Sequence, residues 1–346
     1  MPNSLPLRRR CPFPECPSNA GQVEPRVVRH STYMTRRGRR RRMLCKVCGR
    51  TFSTTLGTPY YRLRRSRNEF DETMRMQVEG LPQAAIARVK QMTPSTVGRW
   101  RERAAQHMAL FTRDHLALRD PVELQMDELR AHGTGNDRTW VYSGLEVWSR
   151  LWSGLRVGNR TLRNTALFVR GVRAVCPPTG APPLVTSDEQ KYYEPVMRNT
   201  FGPCAYVQLN NRYARGRILR SDVRLVLGPD WRFEAAMARS EDSRRPNTAY
   251  VERLNLYTRR ACSYVHRRTS GRMRKPQLLA QALELLRGYY NFIRPHASLR
   301  FGRVTRTPAM QGGLFKRALS FREIFSWVPG PDRRPAPVKM LPRGAQ

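Results

Sequence analysis

A chain of 346 residues can bury one large core and still carry small accessory modules. Its 64 Lys and Arg against 26 Asp and Glu leave a net charge of +38 and a pI near 11.4, a self-repulsion that a polyanion such as a phosphate backbone compensates. Only six of the cations are lysine, which favours forked, bidentate contacts to phosphate over point charges. No apolar stretch follows the basic start Arg8-Arg9-Arg10 and no run of about 18 apolar residues occurs, so neither export nor a membrane span is expected.

Seven cysteines are an odd number, and four of them fall in two close pairs. That pattern suits a reducing compartment and a metal site better than a disulfide framework. Cys11-Pro-Phe-Pro-Glu-Cys16 and Cys45-Lys-Val-Cys48 are separated by 28 residues. Each pair can grip one side of a tetrahedral zinc while the chain between them forms a hairpin. Gly49 suits a tight turn after the second pair, and Phe52 is placed to pack under the site. A zinc ribbon is therefore expected over 1–62. Between the pairs runs Arg36-Arg37-Gly38-Arg39-Arg40-Arg41-Arg42, with Arg39 and Arg40 as candidate phosphate contacts.

Residues 63–112 read as an all-helical domain. A first helix covers Asn68 to Val78, Gly80-Leu81-Pro82 breaks it, and Gln83 to Val89 forms a short second one. Thr93-Pro94 is an N-cap followed by proline at the first helical position. In the third helix Val97, Trp100 and Ala104 share a face, leaving Ser95, Thr96, Arg99 and Arg103 to meet a major groove. Two short helices joined in this way are a helix-turn-helix arrangement, a DNA reader.

From Pro121 the pattern turns to strands. Glu123, Gln125 and Asp127 alternate with Val122, Leu124 and Met126, so the polar set shares one strand face. Trp140 to Trp148 and Leu151 to Val157 predict hairpin strands, and Asn164 to Arg173 a crossover helix. Leu184 to Ser187 is a short apolar strand that ends on Asp188, where α/β sheets place functional groups. Asn247 can cap a helix over Thr248 to Arg260, on which Glu252, Asn255 and Arg259 share a face. Two strand carboxylates and one helix carboxylate can hold two magnesium ions about 3.5–4 Å apart for in-line phosphodiester displacement. Glu123, Glu128, Glu189 and Glu241 compete for that role. His296 reads as structural, and Cys176, Cys204 and Cys262 as ordinary thiols.

These residues resemble the DDE transposases of bacterial insertion sequences, most of all the insertion-sequence-one type, over roughly residues 10–310. The resemblance rests on Cys45-Lys-Val-Cys-Gly-Arg-Thr-Phe52 with Gly57-Thr-Pro59, on Tyr250-Val-Glu252-Arg-Leu-Asn255, and on Tyr290-Asn-Phe-Ile-Arg-Pro-His296-Ala-Ser-Leu299. It implies a multidomain α/β protein with a ribonuclease H-like mixed sheet over 118–310, magnesium or manganese at Asp127, Asp188 and Glu252, and zinc at Cys11, Cys16, Cys45 and Cys48. It further implies cut-and-join chemistry on double-stranded DNA, at terminal inverted repeats and target DNA, by a homo-oligomer at the nucleoid of the bacterial cytoplasm. Asn255 and Arg259 would then touch the DNA backbone or orient Glu252. Sixty-three residues separate Asp188 from Glu252, more than the compact retroviral-type version has, and the strand-like stretch Ala205 to Leu227 would fill the gap. Residues 311–346 read as a basic, partly disordered tail in which Phe321 to Val328 docks. A domesticated DNA-binding regulator and a nuclease without the joining step are the competing readings.

Overall fold

The computed structural model describes residues 10–19, 21–35, 38–132, 139–177, 181, 183–214, 217–266, 273 and 275–330, with the backbone alone for 211–214 and 217–221. Arg36, Arg37 and the stretch from 331 onward lie outside the described residues. Strands β1 (Val27–Thr35) and β2 (Gly38–Cys45) form an antiparallel ribbon, and β3 (Thr51–Ser53) adds to the edge of β2. Gly49, at φ 70°, makes the turn between β2 and β3, a backbone conformation in which a Cβ is strained. Cys11, Cys16, Met43, Cys45 and Phe52 form a small core of their own here, with Phe13 edge-on to Phe52.

Helix α1 (Arg67–Val78) opens on Ser66, whose hydroxyl and the carboxylate of Glu69 close a capping box. Helix α2 (Gln83–Val89) follows, then α3 (Pro94–His115), capped by Thr93 with proline at its first position. α3 runs on past Ala104 because its apolar stripe continues through Met108 and Phe111. That stripe has a consequence for the expected all-helical domain. Ile86, Ala87 and Val97 form a local cluster between α2 and α3. Phe70, Met74, Trp100, Met108 and Phe111, by contrast, belong to the same continuous core as the sheet.

That sheet is mixed and six-stranded, in the order β6-β5-β4-β7-β8-β9. Its strands are β4 (Glu123–Arg130), β5 (Thr139–Glu146), β6 (Trp152–Asn159), β7 (Leu184–Asp188), β8 (Ala205–Ala214) and β9 (Arg217–Leu227). β4, β7 and β8 run parallel, and the remaining pairs are antiparallel. The long β8–β9 hairpin is the strand-like insertion expected between Asp188 and Glu252. Helix α4 (Leu162–Val175) crosses from β6 to β7 and lies close on the sheet. A Cβ on Gly154 would come within 2.3 Å of Val172 Cγ2, so glycine at that position sets the helix–sheet distance. Helices α5 (Tyr193–Thr200), α6 (Asp230–Arg239), α7 (Ala249–Ala261) and α8 (Pro276–Gly288) complete the layers. Past α8, the buried Asn291 acts as a neighbour to β6: its Oδ1 accepts from Trp152 N–H (2.9 Å) and its Nδ2 donates to Trp152 C=O (3.2 Å).

Residues 312–330 are packed, including the docking expected of Phe321 to Val328, and the rest of the expected tail lies outside the described residues. After α9 (Pro308–Gln311), helix α10 (Phe321–Ser326) docks on α1 and α3. Leu319, Phe321, Ile324, Phe325 and Trp327 are buried in the main core, and His107 bonds the Ile324 carbonyl at 3.0 Å. The low average hydropathy of 311–346 hides five apolar residues crowded into nine positions, enough burial to hold this part of the segment down. Phe325→Ala should cost about 3–5 kcal/mol in chemical denaturation of the full chain. A loss under about 1 kcal/mol would place the segment outside the core.

Candidate active site and metal centre

The register of the parallel pair brings the first two acids together. β4 and β7 align Met126 with Ser187, so the next step sets Asp127 beside Asp188 on strands about 4.8 Å apart. The third acid arrives on α7, which packs against β4 and β5. Gln125, two residues before Asp127 on the same strand face, accepts from the N–H groups of Tyr250 (2.9 Å) and Val251 (3.1 Å). Asn247 Oδ1 accepts from Ala249 N–H at 3.0 Å, so it caps the helix as expected although Thr248 holds the cap position. These bonds satisfy helix-start amides that otherwise lack partners. Further along α7, buried Asn255 donates from Nδ2 to Asp127 Oδ2 at 2.7 Å. The helix is thus pinned to β4 at two points, which turns Glu252 toward the strand acids, and Thr248 Oγ1 donates to Glu252 Oε1 at 2.7 Å.

Asp127, Asp188 and Glu252 all line one cleft of about 1170 Å³, together with Glu128, Trp140, Arg160, Lys191, Asn255 and Arg259. Burial, then the charge of Asp188 and that of Glu252, pushes the Asp127 carboxyl up to about 7, against the bonds from Glu128 N–H (2.7 Å) and Asn255. Burial also raises Asp188, while Arg160 opposes the shift. Of the competing acids, Glu123 is tied to Gln125 and Ser240 beneath the cleft, and Glu241 lines a different, smaller pocket. Glu189 lies exposed at the rim. Glu128 does reach the cleft wall. Its side chain is 1% exposed and pairs with Arg160 at 2.8 Å, and burial, with the charge of Asp188, pushes it up to about 7. Strand alternation alone separates Glu128 from Asp127, so its place here and that of Arg160 were not legible from spacing.

A cluster of repelling carboxylates with oxygen-only donors suits a hard divalent cation. The three acids stand wider than a one-ion cage. Among the described residues, the group of His, Cys, Asp or Glu whose ligand atoms all lie within 4.8 Å of one another is Cys11, Cys16, Cys45 and Cys48. Those four thiols could hold a metal such as zinc. Cys11 Sγ lies 3.7 Å from Cys48 Sγ, and Cys16 Sγ 3.7 Å from Cys45 Sγ. A zinc tetrahedron with bonds of about 2.3 Å requires sulfurs about 3.8 Å apart. Asn19 Nδ2 donates to the carbonyls of Cys11 (3.0 Å) and Phe13 (2.6 Å) and so shapes the wide first pair. Cys176, Cys204 and Cys262 stand apart from this group, and burial pushes them up to about 11, 12 and 11.

The expected DNA contacts divide. Ser95 and Arg99 are exposed at the start of α3, while Thr96 bonds the Thr93 hydroxyl at 2.9 Å. Arg103 is turned inward and donates to the Tyr61 carbonyl, so it joins α3 to the preceding loop. Asn255 lines the cleft and holds Asp127. Arg259 lines the cleft. Arg39 is exposed on β2, and Arg40 lines a second groove of about 310 Å³ with Arg41, Arg62, Arg65 and Arg67. Burial and the charges of Arg322 and Arg40 lower Arg67, the mark of crowded cations. His296 bonds the Tyr290 carbonyl at 3.1 Å and burial drops it to about 4, as a structural residue would behave. No helix among the described residues is long and apolar enough to cross a membrane.

Two measurements check this site. The folded protein keeps the Asp127 proton up to about pH 7, whereas the unfolded chain releases it near pH 4. Folding therefore binds more protons in that window, and stability falls as pH rises through it. Without added divalent cation, Asp127→Asn should melt above wild type at pH 8, by on the order of 1–2 kcal/mol, and show no such gain near pH 4. Equal melting at pH 8 contradicts the crowding of acids. Elemental analysis should find one zinc per chain, lost in Cys45→Ser; zinc retained by that variant rules out the four-thiol site. No family model matches the chain, and no curated protein matches it.

Proposed function

We propose that the protein is a DDE-type DNA transposase, cutting double-stranded DNA at terminal inverted repeats and joining the freed 3′-hydroxyl to target DNA. The observation that carries this reading is the convergence of Asp127, Asp188 and Glu252 on one cleft in a chain of net charge +38. The mixed sheet supports a ribonuclease H-like catalytic core, since two acids stand side by side on parallel strands and the third comes from a helix laid across them. The cysteine cluster supports a zinc ribbon, and α2 with the exposed start of α3 supports a helix-turn-helix; together they would grip the element's ends.

The chain's own residues do the positioning. Asn255 and the Glu128 N–H fix the Asp127 carboxylate, and Thr248 steadies Glu252. Arg160, Lys191 and Arg259 line the cleft and draw the phosphodiester toward the acids. Magnesium or manganese held by Asp127, Asp188 and Glu252 would supply activation of the attacking oxygen and stabilisation of the leaving one. A homo-oligomer holding two DNA ends follows from the joining step.

With magnesium and DNA carrying the flanking repeats, wild type should nick the repeat ends and join them to plasmid. Asp188→Asn should lower cleavage by about a thousandfold or more while binding the ends within about threefold of wild type. Cleavage that survives the substitution sinks the assignment. Binding without nicks in either protein identifies a DNA-binding regulator instead.

A further inference from the structure

Arg160 has no part in the expected triad, yet the fold invests several elements in holding it. It follows β6 directly and reaches across the sheet, its guanidinium 4.6 Å over the ring of Trp140 on β5. One nitrogen, Nη2, lies 2.8 Å from Glu128 Oε2 on β4 and 3.6 Å from Asp188 Oδ2 on β7. The two contacts differ in kind. Glu128 is sealed from solvent, with a side chain 1% exposed, whereas that of Asp188 is 44% exposed in the open cleft. A buried carboxylate needs its cation, so the Glu128 contact is the anchor. The Asp188 contact is beyond hydrogen-bond length and partly hydrated, so it is the exchangeable one.

We propose that Arg160 is a resident counter-ion of the acidic cleft: anchored by Glu128 and Trp140, it competes with a divalent cation for Asp188 and, once displaced, offers its guanidinium to a DNA phosphate. The proposal rests on the metal-dependent reading above and adds a positioning residue to it. Three features agree with this role. Arg160 lines the same cleft as the three acids. A guanidinium has five donors in a fork, so the bond to Glu128 leaves others for phosphate. The Trp140 ring keeps the cation in place while its partner in the cleft changes. A purely structural Arg160–Glu128 pair would leave cation binding at Asp188 unaltered or, if its loss loosened the cleft, weaken it.

The test is Mn²⁺ binding to the full-length protein, followed by the electron paramagnetic resonance of free Mn²⁺, in wild type, Asp188→Asn and Arg160→Gln. Removing one positive charge beside Asp188 should tighten Mn²⁺ by on the order of fivefold, and Asp188→Asn should lose that site. In the presence of Mn²⁺, Arg160→Gln should also lower the salt dependence of DNA binding by about 0.9 in log–log slope, one phosphate contact. If Arg160→Gln misfolds because Glu128 is left unpaired, Glu128→Gln against Glu128→Gln/Arg160→Gln makes the same comparison. Mn²⁺ binding that is unchanged or weaker without Arg160, yet lost in Asp188→Asn, overturns the counter-ion role alone. Mn²⁺ binding indifferent to Asp188→Asn overturns that role and the metal-dependent reading together.

Discussion

The attachment of α7 to β4 is the constraint on which the site depends. Gln125 binds the first amides of the helix, and Asn255 binds Asp127 a little more than one turn further on. Both bonds start or end on a single face of one strand, so the distance from helix to strand is set twice. The apolar face of α7, with Val251 and Leu254, packs the helix on the sheet, and the two attachments fix the register that aims Glu252. The bonds are buried or partly buried, where an amide deprived of its partner costs about 1–3 kcal/mol, so the arrangement holds against the repulsion of the acids it assembles.

That repulsion is the second organising force. A chain this rich in arginine could neutralise every carboxylate it has, yet the cleft keeps Asp127 next to Asp188 with only a loose cation between them and solvent. Asn255 answers Asp127 with a neutral donor, and Arg160 answers Glu128 more closely than it answers Asp188. The acids are held near each other and left under-compensated, the perturbed arrangement that a functional site shows and that the proposed reading fills with divalent cations. The arginines gather elsewhere, notably along the groove between the ribbon and α1, where a phosphate backbone would relieve their crowding.

Much of this was legible in the sequence because it is local. Paired cysteines, the Thr93-Pro94 start of α3, the alternation into Asp127 and the apolar run ending on Asp188 each carry their signal within ten residues. The long-range pairings were not legible. The period of α7 puts Asn255 on the face of Glu252, but only the packing of α7 on β4 shows that its partner is Asp127. Arg103 looked free for DNA until the loop at Tyr61 came back against α3. Glu128 follows Asp127 and so should face away. It joins the cleft wall through Arg160, a residue 32 positions later that no motif marks. The docking of Phe321 to Val328 was legible, but the packing of the segment leading into it was not. The anchoring aromatics, Phe321, Phe325 and Trp327, are diluted by arginine and proline around them, and average composition cannot see where they land.

Anomalous diffraction from crystals soaked in Mn²⁺ would locate the cations that the cleft is proposed to hold. Manganese should occupy the cleft, ligated by carboxylate oxygens of Asp127 and Asp188 with Glu252 within reach of the same cluster. Manganese bound only outside the cleft, or a cleft in which Asp127 and Asp188 point apart with no cation between them, would contradict the proposed site.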